Sequence, residues 1–298
     1  MAFERTEDVE RGLRLIPNLV EVMPERADER VLEVYESVQA RLRVPFVNFV
    51  FRVLANYPDY LRFAWGRIEP HLLTAQFEQA ANELRARALL DPIPDPPETD
   101  WQTLGDLGTI RMFTDTIHYV LPKLLLVVSA FDEGLGGQPG TREGAIPDTA
   151  IAPGVAEGTV GLSMVTEEET GEELNRLFRE IRKRHGHPGV ASYYRAMGRW
   201  PRFLEATWEI VQPLVGAPAY GQRKRVLLEE ARDVVLRMSL PDRKELGLDG
   251  ERLEELRAIL AVFRFRVIPD TFLEVAVIKA MLDGPDAARI SRFSFAVV

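Results

Sequence analysis

The side chains able to do chemistry fall into a few short stretches. His118 sits in the most apolar of them, Ile110–Phe131, beside Tyr119 and five residues before Lys123. An imidazole there is either a core histidine satisfied by its neighbours or a base in a pocket. Its ordinary pKa near 6.5 suits proton transfer at neutral pH. Thr74 and Glu78 stand at i and i+4, so a hydroxyl and a carboxylate share one helix face, with Arg85 on that face seven residues on. A structural network is the simpler reading, a polar pocket wall the alternative. Arg52 and Arg195 lie in apolar helical stretches, where a guanidinium must be paired or hydrogen-bonded. Each either clamps its own surroundings or receives a ligand carboxylate bidentately. Ser192-Tyr193-Tyr194-Arg195 places two phenols beside a serine on a helix begun by Pro188, but no adjoining histidine or carboxylate could activate the serine. His185 and His187 flank Gly186. Without an acidic or His partner at helical spacing they read as a helix C-terminal cap rather than a metal site. His71, after Pro70, reads as structural at a helix start.

Several function classes are excluded. There is no GxGxxG, Walker loop, GxSxG or HExxH. The chain has no cysteine, which removes a thiol nucleophile, a Cys-based zinc site and a disulfide scaffold. Lys and Arg number 37 against 46 Asp and Glu, a net charge of −9. That charge opposes nucleic acid as a partner. The one dense basic stretch, Arg179–Arg184, reads as a solvated helix face. The N-terminus is charged from Glu4 and has no apolar run of a signal peptide. The longest apolar run, around Leu124–Phe131, falls far short of the roughly 20 residues that span a bilayer. A cytoplasmic protein without membrane contact, cofactor or metal is expected.

The elements that must position these groups are helical. In the 298 residues, 46% hydrophobic, apolar positions recur at three and four. Val31, Val34, Tyr35, Val38 and Leu42 are one such row, and Leu253–Leu260 and Val267–Leu282 repeat the pattern. Phe46–Phe51 reads as a buried helix. No alternating strands with Asn-Gly turns occur, so the fold class is all-α. Asp91-Pro-Ile-Pro-Asp-Pro-Pro breaks the pattern, and the Gly/Pro-rich stretch from Gly134 to Gly161 reads as a long linker.

That linker joins two copies of one unit. At a constant offset of 143, Tyr35 meets Phe178, Pro45 meets Pro188, Arg52 meets Arg195, Tyr57 meets Trp200, Pro58 meets Pro201, Trp65 meets Trp208 and Pro70 meets Pro213. After a slip of about seven residues Phe113 meets Phe263. The expected organisation is an N-terminal extension (1–30), a first helical repeat (31–133), a linker (134–171), a second repeat (172–284) and a C-terminal tail (285–298). The repeats are expected to pack about a pseudo-twofold axis with an interior pocket between them, since small-molecule sites favour such junctions.

On these residues the chain resembles the group I (DL-) 2-haloacid dehalogenases from about Glu33 to Asp283. The resemblance is strongest in Leu42-Arg-Val-Pro-Phe-Val-Asn-Phe-Val-Phe-Arg-Val-Leu-Ala, Pro58-Asp-Tyr-Leu, Ala64-Trp65 and Glu78-Gln-Ala-Ala-Asn-Glu-Leu-Arg, with Pro122-Lys123, Ala191-Ser192 and Trp200-Pro201 as further anchors. It implies an all-helical fold of two pseudo-repeats around a buried pocket, and a homodimer. It implies hydrolysis of small 2-haloacids with inversion, by direct attack of a water that an aspartate activates and an asparagine positions, without metal, cofactor or covalent ester. Phe46 and Phe49 fall at the family's aromatic pocket positions, and Thr74 and Glu78 match a threonine and glutamate important in relatives. The family's Ala-Ser-Asp, however, reads Ala191-Ser192-Tyr193, and the asparagine before Pro-Lys reads Leu121. A phenol of pKa near 10 is about 99.9% protonated at pH 7, and loss of a general base commonly costs about 10²–10⁴-fold.

The leading expectation is a protein that binds a small organic acid in a pocket built from Phe46, Phe49, Leu121, Ser192, Tyr193, Thr74, Glu78, Arg52 and Arg195, without efficient dehalogenation. A rebuilt hydrolase using His118 is the second reading. A non-catalytic oligomeric scaffold is the third.

Overall fold

In the computed structural model, residues 5–94, 100–138, 150–166, 170–295 and 297 are described; the parts of the linker at 139–149 and 167–169 lie outside them. The chain forms α1 (Thr6–Leu15), α2 (Glu29–Leu42), α3 (Phe49–Leu54), α4 (Pro58–Leu72), α5 (Ala75–Ala88) and α6 (Leu107–Leu135). These are followed by α7 (Glu172–His185), α8 (Ser192–Met197), α9 (Pro201–Val211), α10 (Pro218–Val235), α11 (Gly250–Val262) and α12 (Ile268–Asp283). Among the described residues the only β-pairing is two isolated bridges, Thr74 with Ala150 and Ile151 with Val297. No helix there is long and apolar enough to cross a membrane.

The first residues of α2, α3, α4 and α5 and of α7, α8, α9 and α10 are separated by one constant interval of 143. Local bonding repeats with it. Trp65 Nε1 donates to Ser37 Oγ at 2.9 Å, and Trp208 Nε1 to Glu180 Oε1 at 3.1 Å. Helices α2 and α7 both end on a residue with φ near 64°, Arg43 and Gly186. Glycine reaches that left-handed region freely, whereas an arginine there is strained. The Arg43 carbonyl is occupied by Ala156 N–H at 3.0 Å, a bond from the linker.

Helix α6 organises the rest. It is apolar around its circumference and buried from Phe113 to Leu135, as a helix packed on every side must be. It contacts α5, α10, α11 and α12. Pro122 lies inside it, so the His118 carbonyl loses its helical N–H donor. Arg85 of α5 fills that role. Its Nε donates to the His118 carbonyl at 3.3 Å and Nη2 to the Tyr119 carbonyl at 3.1 Å. Glu78, two turns earlier on the same helix face, accepts from Tyr119 at 3.1 Å and pairs with Lys123.

Several boundaries differ from the sequence expectation. Gly134 and Leu135 belong to α6 rather than the linker, and Gly134 is packed so closely on Pro241 that an added Cβ would lie 2.5 Å from its carbonyl oxygen. Phe46–Asn48 precede α3, and α8 starts at Ser192 rather than at Pro188. Pro70 does not open a helix; α4 runs through it. The residue whose carbonyl it leaves free, Gly66, is exposed to water. The N-terminal residues are no loose extension. Helix α1 lies on α11, and a Cβ at Gly12 would come within 2.1 Å of the Ala258 oxygen.

Replacing Arg85 with Met should leave the buried His118 carbonyl without a donor, at a cost of about 1–3 kcal/mol. Adding Pro122→Ala returns an N–H to the His118 carbonyl, so the double variant should unfold in urea at a higher midpoint than Arg85→Met alone. Equal midpoints would mean that Arg85 does not serve the proline break.

Candidate functional site

A small cavity of ≈ 70 Å³ lies where α3, α6, α8 and the α11–α12 junction meet. Asn48, Phe49 and Val50 line it on one side and Ala191, Ser192 and Tyr193 on the other, positions separated by 143 in each case. Helix α6 contributes Leu121 and its neighbours on one face, and the junction contributes Phe263, Val267, Ile268 and Thr271. The junction is a π-helical turn, Phe263–Val267, a distortion that recurs at functional sites. The volume is under half of the roughly 150 Å³ apolar cavity that accepts benzene, so it has room for a ligand of only a few heavy atoms.

The walls are mainly aromatic and aliphatic. Phe49 meets Phe263 edge-on, ring centres 5.3 Å apart. Tyr193 stacks parallel on Phe113 at 6.1 Å, and Phe113 leans on Phe46 at 6.5 Å. Phe46 therefore supports the wall from behind and does not itself line the cavity. The Tyr193 hydroxyl is 3.0 Å from Thr114 Oγ1. Burial pushes this phenol further above its ordinary value, and the Thr114 contact offsets only part of that.

Polar capacity is small. Thr271 spends its hydroxyl on the Val267 carbonyl at 2.7 Å. Asn48 precedes α3 without capping it, and its Oδ1 is buried with no hydrogen-bond partner. Tyr193 is the only titratable side chain among the lining residues. Ser192 also lines a second, larger recess of ≈ 350 Å³ that shares Phe49 with the cavity and contains Glu21 and Arg195.

The other residues singled out in the sequence lie elsewhere. His118 does not line the cavity. Its Nε2 is 3.0 Å from the Ala288 carbonyl, and burial, reinforced by Arg85 and Lys279, holds its pKa well below the ordinary value. The α6 face that meets the cavity carries Ile117, Val120, Leu121 and Leu124, one position off the histidine. Thr74 caps α5, accepting from Phe77 N–H at 3.2 Å and donating to the His71 carbonyl at 2.8 Å. Glu78 is fixed in the Lys123 and Tyr119 network away from the cavity. Burial lowers Lys123 to about 8 against the opposing pull of Glu78. Arg52 binds Glu21 and the Val47 carbonyl. The groups missed in the sequence are Asn48, Thr271, Thr114 and Glu21; the constant interval of 143 pairs Asn48 with Ala191 and is the one signal that pointed to its position.

Behind Tyr193 lies a buried polar network. Tyr194 OH donates to Glu274 Oε2 at 2.6 Å, Tyr220 OH to Glu274 Oε1 at 2.9 Å, and Lys224 to Asp270 at 3.0 Å. His185 Nε2 meets Glu274 at 2.5 Å while its Nδ1 faces the Ile181 carbonyl at 2.8 Å, and His187 Nε2 meets Asp270 at 3.0 Å. His185 is thus the last residue of α7 and also an ion-pair partner. Among the described residues no group of three or more His, Asp or Glu is arranged to hold a metal.

The comparisons agree with this architecture. A family model described as "Halocarboxylic acid dehydrogenase DehI" matches residues 45–194. A configuration-inverting 2-haloacid dehalogenase of Alcaligenes xylosoxydans xylosoxydans is 32% identical over 275 residues, covering 87% of this chain and 92% of that protein. An (R)-2-haloacid dehalogenase of Pseudomonas putida is 27% identical over 268 residues, covering 83% and 88%. The solved structure of a D-2-haloacid dehalogenase in complex with L-LA superposes with a TM-score of 0.77 at 25% identity, covering 89% of this chain and 96% of that one. The chain belongs to the 2-haloacid dehalogenase family.

The network carries a pH signature. Burial alone would lower His185, but the Glu274 carboxylate outweighs it and holds the imidazole at about 9. A histidine raised in the folded state stabilises fully below its unfolded value of about 6.5, and that contribution is lost as pH rises through the folded value. The urea midpoint should therefore fall between pH 6.5 and 9.5. In His185→Gln that fall should be absent or much reduced; an unchanged fall in the variant would remove the assignment.

Proposed function

We propose that this protein binds a small, partly apolar organic acid in the cavity beside Leu121 and Tyr193, and that it is not an efficient hydrolytic dehalogenase. The reading takes α2–α5 and α7–α10 as copies of one unit about a pseudo-twofold axis. The spacing of cavity residues at one constant interval supports that view. The observation that carries the functional reading is the state of Tyr193. A water attacking carbon needs a base already deprotonated at neutral pH. The single titratable group at the cavity is a buried phenol tied to Thr114, and its burial favours the neutral form. Leu121 can neither donate nor accept a hydrogen bond to anchor that water.

The rival reading with His118 as base needs the imidazole at the cavity, whereas the ring is engaged with Ala288 on another side of α6. A filled, purely structural interior is at odds with the ≈ 70 Å³ space.

Wild-type protein should gain thermal stability from millimolar 2-chloropropionate, as a ligand that binds only the folded state must produce, with little chloride released. Tyr193→Asp combined with Leu121→Asn should raise chloride release by about 10²-fold or more. Rapid wild-type turnover, unchanged by Tyr193→Phe, would overturn this reading.

A further inference from the structure

The cavity has no cation among its lining residues, yet an acid brings a carboxylate. One cation, Arg195, is one helical turn from Ser192. Ser192 and Arg195 are i and i+3 on α8 and both line the adjoining recess. Phe49 and Ser192 belong to both spaces, so a molecule with its apolar end against Phe49 extends past Ser192 towards the guanidinium.

Arg195 is under-used. Its Nε reaches the Val165 carbonyl at 3.4 Å, and its Nη1 is 3.8 Å from Glu21 Oε2. Both are long contacts for a group with five N–H donors. Arg52, its counterpart at the interval of 143, is tightly engaged: Nε donates to Glu21 Oε1 at 2.7 Å, with Nη2 2.6 Å from the same oxygen. One carboxylate therefore stands between the two arginines and favours Arg52. Its backbone is pinned independently. Val22 N–H donates to the Arg52 carbonyl at 3.1 Å, Tyr35 OH to the Val22 carbonyl at 2.8 Å, and Asn56 to the Val20 carbonyl at 2.8 Å. The Glu21 side chain can turn away from Arg195 without releasing the chain, and it can stay on Arg52 while doing so.

We propose that Arg195 receives the carboxylate of the ligand at the cavity mouth, and that Glu21 is a resident carboxylate competing for that guanidinium. The proposal rests on the binding reading above and extends it. Glu21 sets how strongly the site prefers a charged acid over a neutral analogue of the same shape. Because Oε2 approaches only to 3.8 Å, an incoming carboxylate has a better-placed partner in Arg195 than Glu21 does, and bidentate geometry is open to it.

The test is calorimetric titration of the intact protein with 2-chloropropionate and with the uncharged 2-chloropropionamide. Glu21→Gln keeps an acceptor for Arg52. It should tighten the acid about three- to tenfold and leave the amide unchanged. Arg195→Gln should weaken the acid about tenfold or more, again sparing the amide. In the double variant the gain from Glu21→Gln should vanish, because Glu21 acts through Arg195. If that gain persists, Glu21 acts only as a general negative field and the proposal is wrong. If the acid binds and neither substitution changes it, the carboxylate is held elsewhere; the proposal falls and the binding reading stands. If neither acid nor amide binds any of the proteins, the binding reading fails and the proposal fails with it.

Discussion

A helix buried on all sides must find an internal partner for every polar group it carries, since an unpaired one costs about 1–3 kcal/mol or more. Helix α6 pairs its charged residues with groups from several different neighbouring segments. Asp115 pairs with Lys279 of α12 and with Arg292. Thr116 accepts from Val160 of the linker at 3.0 Å. Lys123 goes to Glu78 of α5, Asp132 to Arg264 and Arg5, and Glu133 to Arg264 and Arg232 of α10. The polar contacts thus fix the rotation of α6 against all its neighbours at once. They determine which four residues of α6 meet the cavity and which, like His118, turn away.

The cavity follows from that rotation and from two local irregularities. Pro122 interrupts the ladder of α6 next to Leu121, and the π-helical turn at Phe263–Val267 interrupts the run from α11 into α12. Regular helices with full side chains would close this space, since protein interiors pack to crystal density. Arg85 holds the first irregularity by donating to the freed His118 carbonyl. Glu78 and Arg85 therefore bear on the cavity only through the helix that presents Leu121.

Family membership comes from the whole chain, and the chemistry of the cavity from a few side chains. The chain matches relatives over nearly their full length and shares the fold of a solved one. At the cavity itself the groups present are a phenol, a serine hydroxyl, an amide and a threonine already committed to the backbone. Such a surface can recognise a small molecule by shape and a few hydrogen bonds. Proton abstraction needs a group that is ionised where it stands, and burial opposes ionisation of Tyr193.

The all-helical class and the constant interval between helices were legible in the sequence, because periodicity and spacing are local and survive without coordinates. The rows at Val31–Leu42 and the Trp65–Trp208 spacing were enough for that. Four matters were decided only by the tertiary structure. Periodicity marks His118 as buried but not which neighbour it faces, and a rotation of one residue, about 100° around α6, separates a cavity group from one bound to Ala288. Glu21 has no pattern of its own and gains meaning only because the chain before α2 passes between two arginines 143 residues apart. The histidines at 185 and 187 lack acidic partners in sequence but meet Glu274 and Asp270 across the fold. The linker reads as unpatterned, yet Ala156 and Val160 dock on Arg43 and Thr116 through backbone N–H groups that any residue but proline supplies, so no side-chain code could announce them.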